Sequence, residues 1–339
     1  MANSRTFLLT AVAATMAFLP TAAMAGPSAE KLLADGRVDD AIVSLRDSLT
    51  TSPNDAQSYN LLCRAYLALG NWDAGVTACQ KAVALQPENG HYHLWLGRIY
   101  GEKADHSSFL SAAGLAKKVR SEFETAVRLN PRDLDARADL AEFYVEAPGI
   151  VGGGKDKAIA QAEEIGALDP AQGRLIRARI AEKEKNPTVA ESEYRAAVQI
   201  GGGRPGLWMN LAQFYRRTGR LDEMQAALQH AISTDKNQYV LMPAAEALVR
   251  TKRDLPTAVR LLRRYLANGP VEDGPAFKAH YLLGTLLEGQ GDRAAAAEQY
   301  RAALAMAKDF SPARKALDRL SQHVAENGAA QSSTRTSPI

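Results

Sequence analysis

The chain has 339 residues, of which 46% are hydrophobic and 23% are charged. This composition excludes an intrinsically disordered chain, and the length suffices for a sizeable hydrophobic core. The 41 lysines and arginines nearly balance the 38 aspartates and glutamates, and no basic run exceeds two residues, so we expect no nucleic-acid partner.

The first 25 residues have the pattern of a cleaved signal peptide. A short N-terminal region that contains Arg5 precedes an apolar stretch at 7–19. This stretch is too short to span a bilayer, because a membrane-spanning helix needs roughly 20 residues. A small-residue cleavage pattern follows at 23–25, and the next residue, Gly26, is not a cysteine that could carry a lipid. The pattern predicts a chain exported to the periplasm of a Gram-negative bacterium, or secreted, without a membrane-spanning segment.

From residue 56 onward, a pattern of large and small residues recurs at intervals close to 34. The clearest copy contains Tyr59, Leu62, Tyr66, Gly70, Gly75, Cys79, Ala82 and Pro87. Later copies carry His93, Leu96 and Tyr100; Trp208, Leu211, Ala212, Tyr215, Gly219, Leu228 and Ala231; and His280, Gly284, Gly291, Ala296, Tyr300 and Ala303. Large residues in such a pattern fill the space between two helices, and small residues permit a close approach. A single helix pair cannot bury its apolar face alone, so neighbouring pairs must stack.

This pattern resembles the tetratricopeptide repeat family, whose motif is Trp-x2-Leu-Gly-x2-Tyr followed by Ala, Phe, Ala and Pro. The resemblance implies an all-α fold, a right-handed α-solenoid of about eight antiparallel helix pairs with a C-terminal capping helix. We place the solenoid at 26–326, with pairs at 26–55, 56–89, 90–133, 134–170, 171–204, 205–238, 239–276 and 277–310 and the cap at 311–326. We expect residues 327–339 to form a disordered tail.

The two cysteines, Cys63 and Cys79, fall on the two helices of one predicted pair. In an oxidising compartment they are able to form a disulfide, and otherwise they pack as two buried thiols. The sequence leaves these alternatives open.

Two segments depart from the regular repeat. The third pair carries ten extra residues within 101–118, and the fourth has a glycine-rich stretch at 147–155. Gly149-x4-Gly154-Lys155 superficially matches a phosphate-binding loop, but Asp156 stands where a Ser or Thr would hold magnesium, and no strand precedes it. We interpret it as an interhelical loop whose N–H groups are able to hold an anion weakly.

The sequence contains no pattern of catalytic residues or metal ligands. His91 and His93 are two residues apart, so a helix points them in different directions, and His93 occupies a core position together with His280. We therefore predict no enzyme activity, no metal and no cofactor.

The resemblance implies that the first helix of each pair lines a concave groove. Reading the inward-facing positions gives the candidate binding residues Asn60, Arg64, His91, Arg98, Gln213, Arg216, Arg217 and Arg250. Arg64 and Arg98 occupy equivalent positions in consecutive repeats, and we expect them to be neighbours on one wall. They are suited to bind the carboxylate and backbone of an extended peptide. The alternative is a solvated charged face, or ion pairs such as Arg98 with Glu142.

The sequence therefore predicts a non-catalytic scaffold or adaptor of the bacterial envelope that binds a peptide or protein in its groove. One alternative is a scaffold that associates with itself. Another is an enzyme whose active site lies at one of the two insertions, 101–118 or 147–155. The sequence indicates neither the partner, nor the biological process, nor the oligomeric state.

Overall fold

The structure is a computed structural model that describes residues 27–269, 271–272 and 274–333. The predicted signal peptide at 1–25 lies outside the described residues.

The described part contains 17 α-helices and no β-strand, and consecutive helices pack as antiparallel pairs. The predicted all-α solenoid of eight helix pairs with a C-terminal capping helix is confirmed. The helices in chain order are α1 (Ala29–Ala34) and α2 (Val38–Thr51); α3 (Ala56–Leu69) and α4 (Trp72–Leu85); α5 (Gly90–Asp105) and α6 (Phe109–Leu129); α7 (Leu134–Glu146) and α8 (Lys155–Leu168); α9 (Pro170–Lys183) and α10 (Pro187–Ile200); α11 (Pro205–Arg217) and α12 (Leu221–Thr234); α13 (Leu241–Thr251) and α14 (Leu255–Asn268); α15 (Ala276–Gly289) and α16 (Arg293–Met306); and the capping helix α17 (Ser311–Ser333).

Proline sets the boundary after several second helices. Ser52, Gln86, Asn130 and Asp169 each follow the last residue of a helix and directly precede a proline, with ψ between 72° and 102°. The proline ring disfavours the helical conformation of the preceding residue, so the helix must end there. Aspartate and asparagine side chains then cap the first N–H groups of the next helix, as Asp55 does for α3.

The ten extra residues of the third pair lengthen its helices. Helix α5 has 16 residues and α6 has 21, whereas α3 and α4 have 14 each. At the tip, Phe109 and Leu110 are more than 80% exposed. The insertion therefore forms a protruding helical end rather than a separate loop.

The two ends of the solenoid pack against each other, which the sequence analysis did not anticipate. Phe277 of α15 is fully buried in the same apolar cluster as Leu32 and Leu33 of α1. Gly36 approaches Ala276 so closely that a Cβ at Gly36 would lie 2.9 Å from the Ala276 Cβ. The first helix pair therefore packs on the eighth, and we call this contact between α1–α2 and α15–α16 the seam.

A polar contact also crosses the seam beyond the end of α16. The backbone N–H of Lys308 donates a hydrogen bond to the Asp39 carboxylate, with a donor–acceptor distance of 2.7 Å. Phe310 packs edge-on against the buried Phe277 ring, with 4.9 Å between the ring centroids. The predicted solenoid is therefore one whose two ends meet.

The C-terminal helix is longer than predicted. Helix α17 continues to Ser333, beyond the predicted end of the cap at 326, and the disorder expected for the tail stays a prediction. No proline interrupts this stretch, and its alanines favour helix. The remaining part of the predicted tail, 334–339, lies outside the described residues.

None of the described helices has the length and apolar character needed to cross a membrane.

Candidate functional site

Two arginines of consecutive repeats lie over one tryptophan ring on the inner wall. The guanidinium carbon of Arg64, on α3, lies 4.9 Å from the centroid of the Trp95 ring, and that of Arg98, on α5, lies 4.8 Å from it. This is the range in which a cation is attracted to the face of an aromatic ring. The prediction that Arg64 and Arg98 are neighbours on one wall holds in the structure. We call Arg64, Trp95 and Arg98 the Arg–Trp–Arg cluster.

His91 fixes the orientation of the tryptophan. The indole N–H of Trp95 donates a hydrogen bond to Nε2 of His91, one helical turn earlier, at 3.0 Å. Burial lowers the pKa of His91, and the positive charge of Arg64 lowers it further. The imidazole is therefore neutral at pH 7, which leaves its Nε2 lone pair free to accept this bond.

Both arginines of the cluster are paired with carboxylates of the chain itself. Arg64 binds Glu272 through two parallel hydrogen bonds, of which the one from Nε to Oε1 is 2.7 Å long. The Nε atom of Arg98 donates to Asp139 of α7 at 2.6 Å. Burial raises the pKa of Asp139, and the charge of Arg98 only partly opposes this effect.

The alternative ion pair predicted from the sequence, Arg98 with Glu142, does not form. Glu142 instead accepts hydrogen bonds from Arg179 of α9. Asp139 lies one helical turn before Glu142, so the predicted partner was wrong by about one turn of α7. Arg98 is therefore neutralised by a different carboxylate of the same helix.

The Arg–Trp–Arg cluster borders a cavity of about 650 Å³. The cavity lies between α3, α5 and α7, and Phe143 contributes to the wall on the α7 side. This volume falls within the range of roughly 300–1,000 Å³ that is typical of ligand sites. A mixed lining of aromatic rings and charged groups suits a chain segment with both apolar and polar side chains.

The cavity also contains a lysine with a perturbed pKa. Burial lowers the pKa of Lys278, and the carboxylates of Glu102 and Glu246 only partly oppose this effect. Within the described residues Lys278 forms no ion pair, although it lies over the Phe277 ring at 5.9 Å. Its ammonium group is thus a cation in the cavity that makes no ion pair with any carboxylate of the described residues.

Asn60 does not lie on an accessible groove surface, contrary to the prediction. Asn60 is only 2% exposed, and its buried Nδ2 atom has no hydrogen-bond partner among the residues that the structure describes. It is on α3, one turn before Arg64. Asn60 is therefore buried, and it does not offer its amide to a ligand in the groove.

The other four predicted residues lie on α11 and α13, and none of them lines the cavity. Arg216 donates to Gln213 at 2.7 Å, and Arg217 binds Glu182 with two hydrogen bonds. Burial lowers the pKa of Arg216, and the charge of Arg250 is the next cause. The eight predicted residues therefore divide between two regions, and the cavity belongs to the α3–α5 region.

Sequence reasoning missed two essential parts of the site. Trp95 is not at an inward-facing position of the repeat, although its size and its place on the same helix as Arg98 were a usable signal. Glu272 is in the loop between α14 and α15, where the repeat pattern assigns no position. It reaches Arg64 only because the ends of the solenoid meet. The sequence of a single repeat does not predict this contact between the two ends.

Three backbone N–H groups of the glycine-rich segment at 147–155 donate hydrogen bonds within the segment and to the end of α7. The N–H groups of Gly152, Gly153 and Gly154 donate to the backbone oxygens of Gly149, Pro148 and Tyr144. Lys155 forms an ion pair with Glu184. These three N–H groups are thus already used within the chain, and weak anion binding at the start of α8 stays a prediction.

The histidines at core positions make hydrogen bonds to other residues of the chain. His93 is buried and bonds Glu122 and the backbone oxygen of Pro87. His280 bonds Gln299 at 2.7 Å. Among the described residues, no three or more His, Cys, Asp or Glu side chains are grouped so as to hold a metal ion.

Cys63 and Cys79 form a disulfide between α3 and α4. Their Cα atoms are 5.2 Å apart, and both residues are fully buried. The structure thus has the bonded form of the two alternatives that the sequence leaves open. Because Cys63 directly precedes Arg64, the disulfide anchors the part of α3 that carries the cluster.

Three family models that match the chain carry the same description. Sequence models described as tetratricopeptide repeat match residues 32–99, 205–238 and 244–312, which together make up about half of the chain. None of the curated proteins matches the sequence.

Solved structures are similar in fold. Yeast Tom70 has 16% sequence identity and a TM-score of 0.54, and the match covers 92% of this chain and 66% of that one. This chain thus spans just under two thirds of Tom70. A thermophilic TPR protein of Thermus thermophilus has 24% identity and a TM-score of 0.42, with 57% of this chain and 99% of that chain covered. A tetratricopeptide repeat protein of Parabacteroides merdae has 14% identity and a TM-score of 0.42, with 86% and 98% covered.

Proposed function

Because this chain belongs to the tetratricopeptide repeat family, whose members bind protein partners, we propose that it is a non-catalytic scaffold that holds a segment of a protein partner in the cavity beside the Arg–Trp–Arg cluster. The observation that carries the proposal is the placement of two guanidinium groups over Trp95 at the edge of a cavity of about 650 Å³. No bond is made or broken in this function. Binding alone is the mechanism.

The composition of the site supports protein binding. Tryptophan and arginine are the residues that most often dominate the free energy of protein interfaces, especially in pockets from which water is excluded. Arginine offers several N–H donors in a fixed plane, so it binds carboxylates and backbone oxygens of an extended segment. The hydrogen bond from Trp95 to His91 holds the ring in place before a partner arrives. A preorganised site loses less conformational entropy on binding.

Co-purification tests the proposal. The double variant Arg64→Gln, Arg98→Gln removes both cluster charges, and Arg195→Gln is the control because Arg195 pairs with Glu191 on an outer helix. Each protein is tagged and purified from envelope extracts, and bound proteins are identified by mass spectrometry. We expect one partner to be shared by wild type and the control and to be lost from the double variant. Retention by a double variant with a normal melting curve would contradict the proposed site.

Light scattering of the purified protein tests the alternative that the chain is a scaffold that associates with itself. Partner binding in the cavity requires no oligomer, so we expect the purified protein to scatter as a monomer. A concentration-dependent oligomer that forms without any partner would favour the alternative.

We also propose that the protein resides in the bacterial envelope. The signal-peptide pattern at the N-terminus supports export, and the Cys63–Cys79 disulfide supports an oxidising compartment. We expect the protein in the periplasmic fraction of a Gram-negative cell to start at Gly26 and to contain no free thiol. A full-length chain in the cytoplasm with two reactive thiols would contradict this location.

A further inference from the structure

Glu272 occupies the carboxylate-binding face of the Arg–Trp–Arg cluster from the far end of the chain. It is 208 residues from Arg64 in sequence and lies in the short connection before α15. Its two oxygens accept hydrogen bonds from Nε and Nη2 of Arg64, and the Arg64 guanidinium also lies over Trp95. Paired N–H donors on one edge of a guanidinium are the arrangement by which arginine binds the carboxylate of a ligand.

The connection that carries Glu272 is held in shape by Tyr265. The Tyr265 hydroxyl donates to the backbone oxygen of Gly274 at 2.6 Å and accepts from the backbone N–H of Val271 at 2.8 Å. These bonds fix the backbone on both sides of Glu272. A Cβ at Gly274 would lie 2.7 Å from the same hydroxyl oxygen, so glycine permits this close approach. The position of Glu272 in the cavity is thus built into the fold.

The ion pair is able to open without the seam opening. The side chains of Arg64 and Glu272 are 20% and 24% exposed, so water reaches both groups. The seam is held separately, by the buried Phe277 and by the hydrogen bond from Lys308 to Asp39. Only the hydrogen bonds between Arg64 and Glu272 therefore have to break when another carboxylate binds to Arg64.

We propose that Glu272 is a built-in competitor for this site and that the partner segment which replaces it carries a carboxylate of its own. This inference rests on the proposed function and adds the class of ligand, an acidic peptide segment. In the free protein Glu272 neutralises Arg64. In the complex a carboxylate of the partner takes the same two N–H donors, and Glu272 moves into water.

A peptide that copies residues 269–274 is a suitable probe because it contains Glu272 and the acidic residue after it. It is made as a fluorescein-labelled C-terminal amide, and the control peptide has Gln and Asn in place of the two acidic residues. Binding to the full folded chain is measured by fluorescence anisotropy at low ionic strength. The proteins compared are wild type, Glu272→Gln, and the double variant Arg64→Gln, Glu272→Gln.

The expected result is an affinity of Glu272→Gln for the acidic peptide about fivefold higher than that of wild type, since a partly exposed ion pair has to be displaced only in wild type. The control peptide should show no such gain, and the double variant should lose it. Equal affinity of wild type and Glu272→Gln overturns the inference, as does a gain that persists without Arg64. Absence of binding to both proteins overturns it as well.

A second variant leaves Glu272 in place. Tyr265→Phe removes the hydroxyl that holds the connection, so it should also raise the affinity for the acidic peptide. An unchanged or lower affinity in a folded Tyr265→Phe protein would show that Glu272 does not compete for the site. Failure of these peptide experiments leaves partner co-purification as a separate result, so a wrong ligand class is distinguishable from a wrong function.

Discussion

The substitution Gly36→Ala tests whether the ends of the solenoid meet. Gly36 has a φ of +73°, and a Cβ there would lie 2.9 Å from the Ala276 Cβ and still closer to the Ala276 backbone nitrogen. Gly219 is a matched control, because its φ is +75° and a Cβ there would meet nothing within 4 Å. Both substitutions carry the same backbone cost, but only Gly36→Ala forces two backbones apart at the seam.

The expected magnitudes follow from these two contributions. An alanine in the left-handed region costs about 1 kcal/mol, so Gly219→Ala should lower the free energy of unfolding by that amount. Overpacking against a rigid backbone adds roughly 1–3 kcal/mol, so Gly36→Ala should lower it by about 2–4 kcal/mol.

Urea denaturation gives the two free energies, and small-angle X-ray scattering shows whether the molecule opens. We expect Gly36→Ala to have a larger radius of gyration than wild type and Gly219→Ala to be unchanged. Equal destabilisation by the two variants, together with unchanged scattering from both, would refute the seam.

Three further predictions concern the stability of the described chain. The Cys63–Cys79 disulfide links residues 16 apart in sequence, and its reduction should lower the free energy of unfolding by about 3 kcal/mol. Urea denaturation with and without reductant measures this difference. An unchanged free energy of unfolding would contradict a disulfide in solution. Hydrogen bonds from arginines lower the pKa of Glu191 from 4.5 to about 2, so the stability it contributes is present above pH 4.5 and is lost as the pH falls towards 2. Glu191→Gln should therefore be less stable than wild type at pH 7 but not at pH 2, and a difference independent of pH would be evidence against this pairing. Gly97→Ala should lower the melting temperature because its Cβ would lie 2.5 Å from Cδ1 of the buried Phe123 ring. Gly101→Ala in the same helix should raise the melting temperature, since its Cβ would meet nothing within 4 Å. A change of the same sign in both variants would count against this packing.

The fold was predictable because each repeat carries its own packing information. The residues that join the two helices of a pair, such as Gly97 and Phe123, are close in sequence and recur with the repeat. The seam was not predictable in this way. Gly36 and Ala276 are far apart in sequence, and each is also compatible with an open solenoid.

The site likewise contains residues that the repeat pattern predicts and residues that depend on contacts between distant parts of the chain. Arg64 and Arg98 were predicted because they occupy one position in consecutive repeats. Their carboxylate partners depend on long-range geometry, since Glu272 reaches Arg64 across the seam and Asp139 replaces the predicted Glu142 after a shift of one helical turn.

Site-specific photo-cross-linking tests the central claim of binding in the cavity most directly. A photoreactive phenylalanine analogue replaces Phe143, which lines the cavity, or Val189, which is exposed on α10. After irradiation of intact cells, we expect the Phe143 position to cross-link a partner protein and the Val189 position not to do so. The Arg64→Gln, Arg98→Gln background should abolish the cross-link. A partner that cross-links equally from both positions, or that is unaffected by loss of the two arginines, would contradict the account.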